Sequence, residues 1–230
     1  MTYIGPQQLS LRNTGPQLER RNRSITLPDD VLPIIAVDPG GITGWSLLVL
    51  PKDYMMKSIW EWPQDVILKN KVSWTHGEID CKKDELKGTY VLKRLIDEWP
   101  SAVVVMEGFH IRQMAVELSP VRIIARVEES LWLANRPMIT QMPAMKATAN
   151  NDRLKDWGVY TELGGLEHAR DADRHALMFV RRCMERKEIQ LREFAWPHIY
   201  NSTNDDLSLI AQVGPGHIVE IDDDLDGAFG

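Results

Sequence analysis

One stretch limits what this chain can become: Ile34-Ile35-Ala36-Val37-Asp38-Pro39-Gly40-Gly41-Ile42-Thr43-Gly44-Trp45-Ser46-Leu47-Leu48-Val49. It reads as an apolar strand, an acidic tip, a Pro/Gly turn and a second apolar strand. Short aliphatic, β-branched runs bounded by Pro and Gly mark buried strands. Strand one is expected over Ile34–Val37 and strand two over Trp45–Leu50. The turn leaves Asp38 at a strand end, where a carboxylate is costly to bury without a partner such as a metal ion. Asp-Pro-Gly is also good turn chemistry, so the stretch alone leaves a structural and a functional Asp38 both open.

Further strands and helices follow from periodicity. Residues 51–71, with Pro51, Trp60, Trp62 and Pro63, form a long connection or insertion. Val72–Ile79 is a third strand, so the first three strands suggest an antiparallel meander. Leu86, Tyr90, Leu92, Leu95, Ile96 and Trp99 give a helix over Asp84–Trp99, stopped by Pro100. Ala102–Met106 is apolar throughout, as in a strand buried on both faces, and it ends in Glu107-Gly108. Ser119-Pro120 opens a helix running to Ala134, with Ser119 as N-cap and Val121, Ile124, Val127 and Leu131 as its stripe. Met138–Met142 is a short strand, followed by Pro143-Ala144-Met145-Lys146. Asn150–Trp157 is a short helix ended by Gly158, and Glu167–Lys187 is a long one. The pattern is mixed α/β.

The long helix carries His168, Asp171, Ala172 and His175 within about 100° of arc. Ala172, Ala176 and Phe179 mark its sheet-packing side. Asp173 points about 160° from Asp171, so it is expected in solvent and Asp173→Asn is expected to be nearly silent. His168 and Asp171 would then lie where Asp38 and Glu107 can meet them. Two strand-end carboxylates with a helix Asp and His suit hard cations such as Mg²⁺ or Mn²⁺. Two such ions can hold the attacking water and the leaving oxygen of a phosphodiester. His168 can ligate a metal or move a proton. Taken singly, each residue also reads as a turn Asp, a strand-end Glu or a satisfied helix His.

The ordered set Val37-Asp38-Pro39-Gly40…Gly44, Val105-Met106-Glu107-Gly108-Phe109 and His168-Ala169-Arg170-Asp171-Ala172 resembles the RuvC family of Holliday junction resolvases, in particular its phage members. The resemblance covers about residues 34–183. It implies a ribonuclease H-like fold, with a five-stranded mixed sheet (three antiparallel strands, then two parallel) flanked by helices. It further implies a homodimer that cuts four-way DNA junctions symmetrically with Mg²⁺, leaving 5′-phosphates. Asp38, Glu107 and Asp171 take the places of the family's catalytic carboxylates, and His168 a place filled by Asp or His. Phe109 resembles the aromatic presented near the junction centre; a core aromatic is the other reading. Lys146 resembles a lysine near the scissile phosphate. The Ser119–Ala134 helix resembles the one at the dimer interface and close to the DNA. Arg112, Arg122 and Arg126 are phosphate-contact candidates; a solvated basic face is the other reading.

Composition sets the flanks. Residues 1–30 carry Arg12, Arg20, Arg21 and Arg23 with few large apolar groups, and are expected as a flexible arm. The nuclease domain is expected over 31–200. From Asp205 to Gly230 there is no Lys or Arg, and seven of the chain's 33 acids sit there. Residues 1–204 therefore hold 26 acids against 27 bases, so the net charge of −6 does not exclude DNA. The acidic tail, 201–230, is expected to be disordered and solubilising, or to recruit a protein partner. Cys81 and Cys183 match no metal spacing and read as reduced, structural thiols. No membrane span or secretory signal is evident, so a cytoplasmic protein is expected, in the host cytoplasm if phage-encoded. Two other readings compete. A non-catalytic junction or nucleic-acid binder of the same fold would still bind without cutting. An actin-like ATPase or kinase domain is suggested by Asp-Pro-Gly-Gly-Ile-Thr-Gly and would bind nucleotide.

Overall fold

The computed structural model describes residues 30–53, 73–109, 117–160, 166–184 and 189–200. The expected N-terminal arm and acidic tail, most of the 51–71 connection and Arg112 lie outside them. Five strands form one sheet: β1 (Val31–Asp38), β2 (Ile42–Pro51), β3 (Ser73–Asp80), β4 (Val103–Glu107) and β5 (Met138–Gln141). Their spatial order is β3-β2-β1-β4-β5. The β1–β2 and β2–β3 pairs are antiparallel, and the β1–β4 and β4–β5 pairs are parallel. With helices on both faces, this is the ribonuclease H-like arrangement that the motif order implies.

Strand alternation divides the core in two. Leu32, Ile34, Ala36, Leu48, Leu50, Val103, Val105 and Ile139 point to one face. Ile35, Val37, Trp45, Leu47, Val104 and Met106 point to the other. A strand with both faces covered shows this continuous apolar reading, and all five residues of β4 are buried.

The second face is covered by α1 (Glu85–Asp97) and α2 (Ser119–Leu133). Asp84 caps α1 by accepting from Lys87 N at 3.0 Å. The apolar stripes of both helices are shifted from the sequence expectation. Val91, Leu92 and Ile96 are buried on α1, whereas Leu86 and Tyr90 are exposed. On α2, Ile123, Val127 and Leu131 are buried and Val121 is exposed. Ser119 is not the N-cap: Leu118 takes that position, and Ser119 Oγ donates to Glu117 Oε1 at 2.9 Å. Pro120 suits the first turn in either register, so the sequence signal survives a one-residue shift.

The first face is covered by α4 (Glu167–Met184) together with α5 (Ile189–Ala195) and α6 (Pro197–Tyr200), and Leu191, Trp196 and Ile199 of this segment join the same apolar cluster. A 3-10 helix (Pro143–Thr148) and α3 (Asn151–Asp156) lead from β5 toward α4. Gly158 ends the α3 segment at φ 74°, a conformation glycine adopts freely. Ala169, Ala172 and Ala176 on α4 are buried, which lets the helix lie low on β1 and β2. Both cysteines are free and buried. No described helix is long and apolar enough to cross a membrane.

Candidate active site

Strand parity and register assemble the site. Asp38 shares the parity of Ile34 and Ala36, and Glu107 that of Val103 and Val105, so both carboxylates face α4. Val37 lies opposite Met106 in the parallel pair, which sets the next residues, Asp38 and Glu107, side by side. Asp38 also pairs with Gly44, Gly44 with Glu78, and Glu107 with Gln141. A row of one residue per strand therefore crosses the sheet: Glu78, Gly44, Asp38, Glu107, Gln141.

The N-terminal end of α4 lies over this row. A Cβ on Gly44 would stand 2.0 Å from His168 O, so the helix backbone fits only above a glycine. Glu78 Oε1 accepts from the free N–H groups of His168 and Ala169 at 3.0 and 3.4 Å. It thus satisfies helix-terminal donors and complements the positive end of the helix dipole. His168 Nδ1 meets Asp38 Oδ2 at 2.8 Å. Lys146, from the 3-10 helix, places Nζ 3.0 Å from Glu107 Oε2 and 2.6 Å from Asp171 Oδ2. Arg174 grips the other Asp171 oxygen and donates through Nε to Ala149 O at 3.0 Å. His175, fully buried, meets Glu107 Oε2 through Nε2 at 2.8 Å.

The electrostatics are those of a packed acid pair. Burial, together with the neighbouring Glu107, raises Asp38, although His168 pulls it down. Burial also acts to raise Glu107, but hydrogen bonds from His175 and Asp38 and the charge of Lys146 outweigh it and bring it to about 2. Asp38 is thus the member that holds a proton more readily. Asp38 in turn raises His168 through its hydrogen bond. Burial lowers Lys146, but Asp171, Glu107 and Asp38 together raise it overall.

Among the described residues, no three His, Cys, Asp or Glu side chains already close on one point as a metal cage. The donor chemistry nevertheless fits a hard divalent cation: three carboxylates and an imidazole, with a positive group, the Lys146 ammonium, seated between two of the carboxylates.

Asp38, Glu107, His168, Asp171 and Lys146 therefore lie in one cluster. Phe109 is half-buried, two residues past Glu107, and belongs to neither apolar core cluster. Arg122 and Arg126 lie apart from the cluster on α2, both paired to Glu85: Arg122 Nη2 at 2.5 Å and Arg126 Nη1 at 2.5 Å.

Asp173 corrects the sequence expectation. It is 1% exposed rather than in solvent. Its carboxylate accepts from Trp74 Nε1 at 2.8 Å and contacts His76 Nδ1 at 2.7 Å. The helix is covered on two sides, so a residue turned away from Asp171 meets edge strand β3 instead of water. Asp173→Asn is accordingly not expected to be silent. Sequence reasoning placed His175 on the site-facing arc without a role, and it passed over Gln141, Glu78 and Arg174. Two of these carried a signal: His175 follows Asp171 by one helical turn, and Gln141 has the parity of Ile139.

No family model matches the chain, and no curated relative matches it. Among solved structures it is similar to Thermus thermophilus RuvC in complex with a Holliday junction substrate. The two share 15% identity, with 66% of this chain and 94% of that chain covered and a TM-score of 0.39. It is also similar to another T. thermophilus RuvC structure, at 15% identity, 66% and 95% coverage and a TM-score of 0.37. The resemblance carried by the three motifs is to the same family; the fold itself rests on the strand order and pairing given above.

Proposed function

We propose that this chain is a metal-dependent, structure-selective endonuclease that resolves four-way DNA junctions and leaves 5′-phosphates. The observation that carries this reading is the Asp38–Glu107 pair, set side by side by parallel register under the helix end that brings His168 and Asp171. A binding protein for a polyanion gains nothing from acids gathered at one point. The substrate class comes from the resemblance of the three ordered motifs to junction resolvases.

In this reading Asp38, Glu107, Asp171 and His168 hold the catalytic Mg²⁺ ions, two per site, with Mn²⁺ as a substitute. When bound, the ions supply an activated water and stabilise the leaving oxygen of the phosphodiester. The chain's own groups do the rest. Glu107, the more acidic of the pair, stays ionised, while Asp38 and His168 share a hydrogen bond through which a proton can move. Lys146 can turn from Asp171 and Glu107 toward a phosphate oxygen, as a flexible ammonium allows. Phe109, outside the core clusters, is available to stack on an unpaired base. Arg112, Arg122 and Arg126 are proposed phosphate contacts; Arg122 and Arg126 would share their charge with Glu85. Leu118, Val121, Trp132 and Leu133, on and beside α2, leave large apolar surface exposed, which supports homodimerisation through that helix. The acidic tail is proposed to keep the chain soluble or to recruit a protein partner.

The test is cleavage of an end-labelled, immobile four-way junction against linear duplex of the same arms, in Mg²⁺, Mn²⁺ or EDTA. Paired symmetric nicks on the junction alone, lost in EDTA, are expected. Equal cutting of linear duplex would make the chain a general nuclease. Junction binding without cutting in either metal would make it a binder.

A further inference from the structure

His175 is the most deeply buried ionisable group in contact with the candidate site, and the reading above gives it no task. Its ring lies between the ends of two strands. Nε2 meets Glu107 Oε2 at 2.8 Å, and Nδ1 faces the Gln141 side-chain amide at 3.0 Å. The orientation of that amide decides the tautomer of the imidazole. Gln141 sits against a turn of α4 and addresses two of its backbone groups. With the amide turned to satisfy both of its ends, its oxygen accepts from Phe179 N at 3.2 Å and its nitrogen donates to His175 O at 3.2 Å. The opposite orientation would set oxygen against a carbonyl and NH₂ against an N–H. The same nitrogen then donates to His175 Nδ1 at 3.0 Å. Nδ1 must therefore carry a lone pair, and the ring proton resides on Nε2, aimed at Glu107.

We propose that His175 is a positioning residue for Glu107: a neutral imidazole, locked as the Nε2–H tautomer by Gln141, that donates to one carboxylate oxygen and fixes the carboxylate plane. This rests on the endonuclease reading for its effect on rate. The sequence pattern behind it spans three elements: Glu107 ends β4, Gln141 ends β5 as its register partner, and His175 comes one turn after Asp171 on α4. A carboxylate adjoining a reacting phosphate must be held in one orientation, and partners of this kind commonly alter metal affinity or rate when removed.

The experiment uses the full chain. Long-range ¹H–¹⁵N spectra of histidine-labelled protein report the His175 tautomer directly. Mn²⁺ titration and single-turnover junction cleavage are then compared for wild type, His175→Gln, His175→Phe and Gln141→Glu. The expected spectrum is a neutral Nε2–H ring. His175→Phe fills the space without a donor, and Mn²⁺ affinity and cleavage rate should each fall about 10- to 100-fold with junction binding unchanged. His175→Gln retains an amide donor and should recover most of the loss. Gln141→Glu replaces the donor with an acceptor, so it should move the ring proton to Nδ1 and weaken both readouts. An Nδ1–H or doubly protonated ring in wild type would overturn the proposal. So would a His175→Phe protein with wild-type Mn²⁺ affinity and rate. If wild type cuts no DNA, the endonuclease reading fails, while the spectrum and the Mn²⁺ titration still decide the lock.

Discussion

On the α1–α2 face of the sheet, Val91, Leu92, Ile96, Ile123, Val127 and Leu131 meet Ile35, Val37, Val104 and Met106, and the interface is oil on oil. Its strongest polar contact, Glu85 with Arg122 and Arg126, stays at the rim between helices. On the α4 face the same strands meet a helix through polar pins. Asp173 is tied to Trp74 and His76 at one side, and His175 to Glu107 and Gln141 at the other. Buried polar groups cost desolvation and leave large penalties when half-satisfied. Apolar packing leaves the α1–α2 face without a polar register lock, whereas the pins fix the register of the α4 face. That difference is what a site needs when His168 and Asp171, on the helix, must meet Asp38 and Glu107, on the sheet.

The largest stability effect should come from breaking a pin. Asp173→Ala strips the acceptor from two donors beneath α4 and is expected to cost about 3–5 kcal/mol. Chemical denaturation checks it; a loss below about 1 kcal/mol, the level of a surface change, would erase the contrast between the faces. Next is Gly44→Ala, whose new methyl would press on His168 O. A loss of about 1–3 kcal/mol is expected, together with slower cleavage as the helix end lifts from Asp38. Unchanged stability and rate would mean the helix end can move freely. Smallest is Glu85→Gln on the opposite face. Its arginine partners and its partial burial oppose each other, and the hydrogen bonds win, lowering Glu85 from 4.5 to about 2. A depressed carboxyl stabilises the fold above its unfolded value and loses that contribution as pH falls from 4.5 toward 2. Glu85→Gln should therefore lower stability near neutrality by up to about 1 kcal/mol, the scale of an exposed ion pair, and converge on wild type as pH falls from 4.5 toward 2; an unchanged stability at pH 7 would show that the pair contributes nothing.

Much of this was legible in sequence because strands β1 and β4 are read twice. Their apolar runs mark burial on both faces, and the acids ending them mark the open edge. Parity then decides which side Asp38 and Glu107 face. Asp173 was not legible from a helical wheel, because the wheel assumes one buried side. Here Ala172, His175 and Phe179 bury one arc and Asp173, Leu177 and Val180 a second. The missing signal lay on another strand: Trp74 and His76, two donors alternating on edge strand β3, need an acceptor above them. The parity of Gln141 was legible, but the task of its amide was not, since two of its three partners are backbone atoms of α4 that no side-chain pattern reveals. The shifted stripes of α1 and α2 show the limit of apolar spacing where a helix also leaves Leu86, Tyr90 and Trp132 exposed.

The central claim is that the Asp38–Glu107 pair is the reacting centre. Single-turnover cleavage of a four-way junction by Glu107→Gln, alongside wild type and with binding measured in parallel, tests it most directly. The account predicts a rate loss of at least about 10²–10³-fold with junction affinity kept or tightened, since a negative charge facing phosphate is removed. Cleavage by Glu107→Gln at the wild-type rate would contradict it and move the chemistry away from this pair.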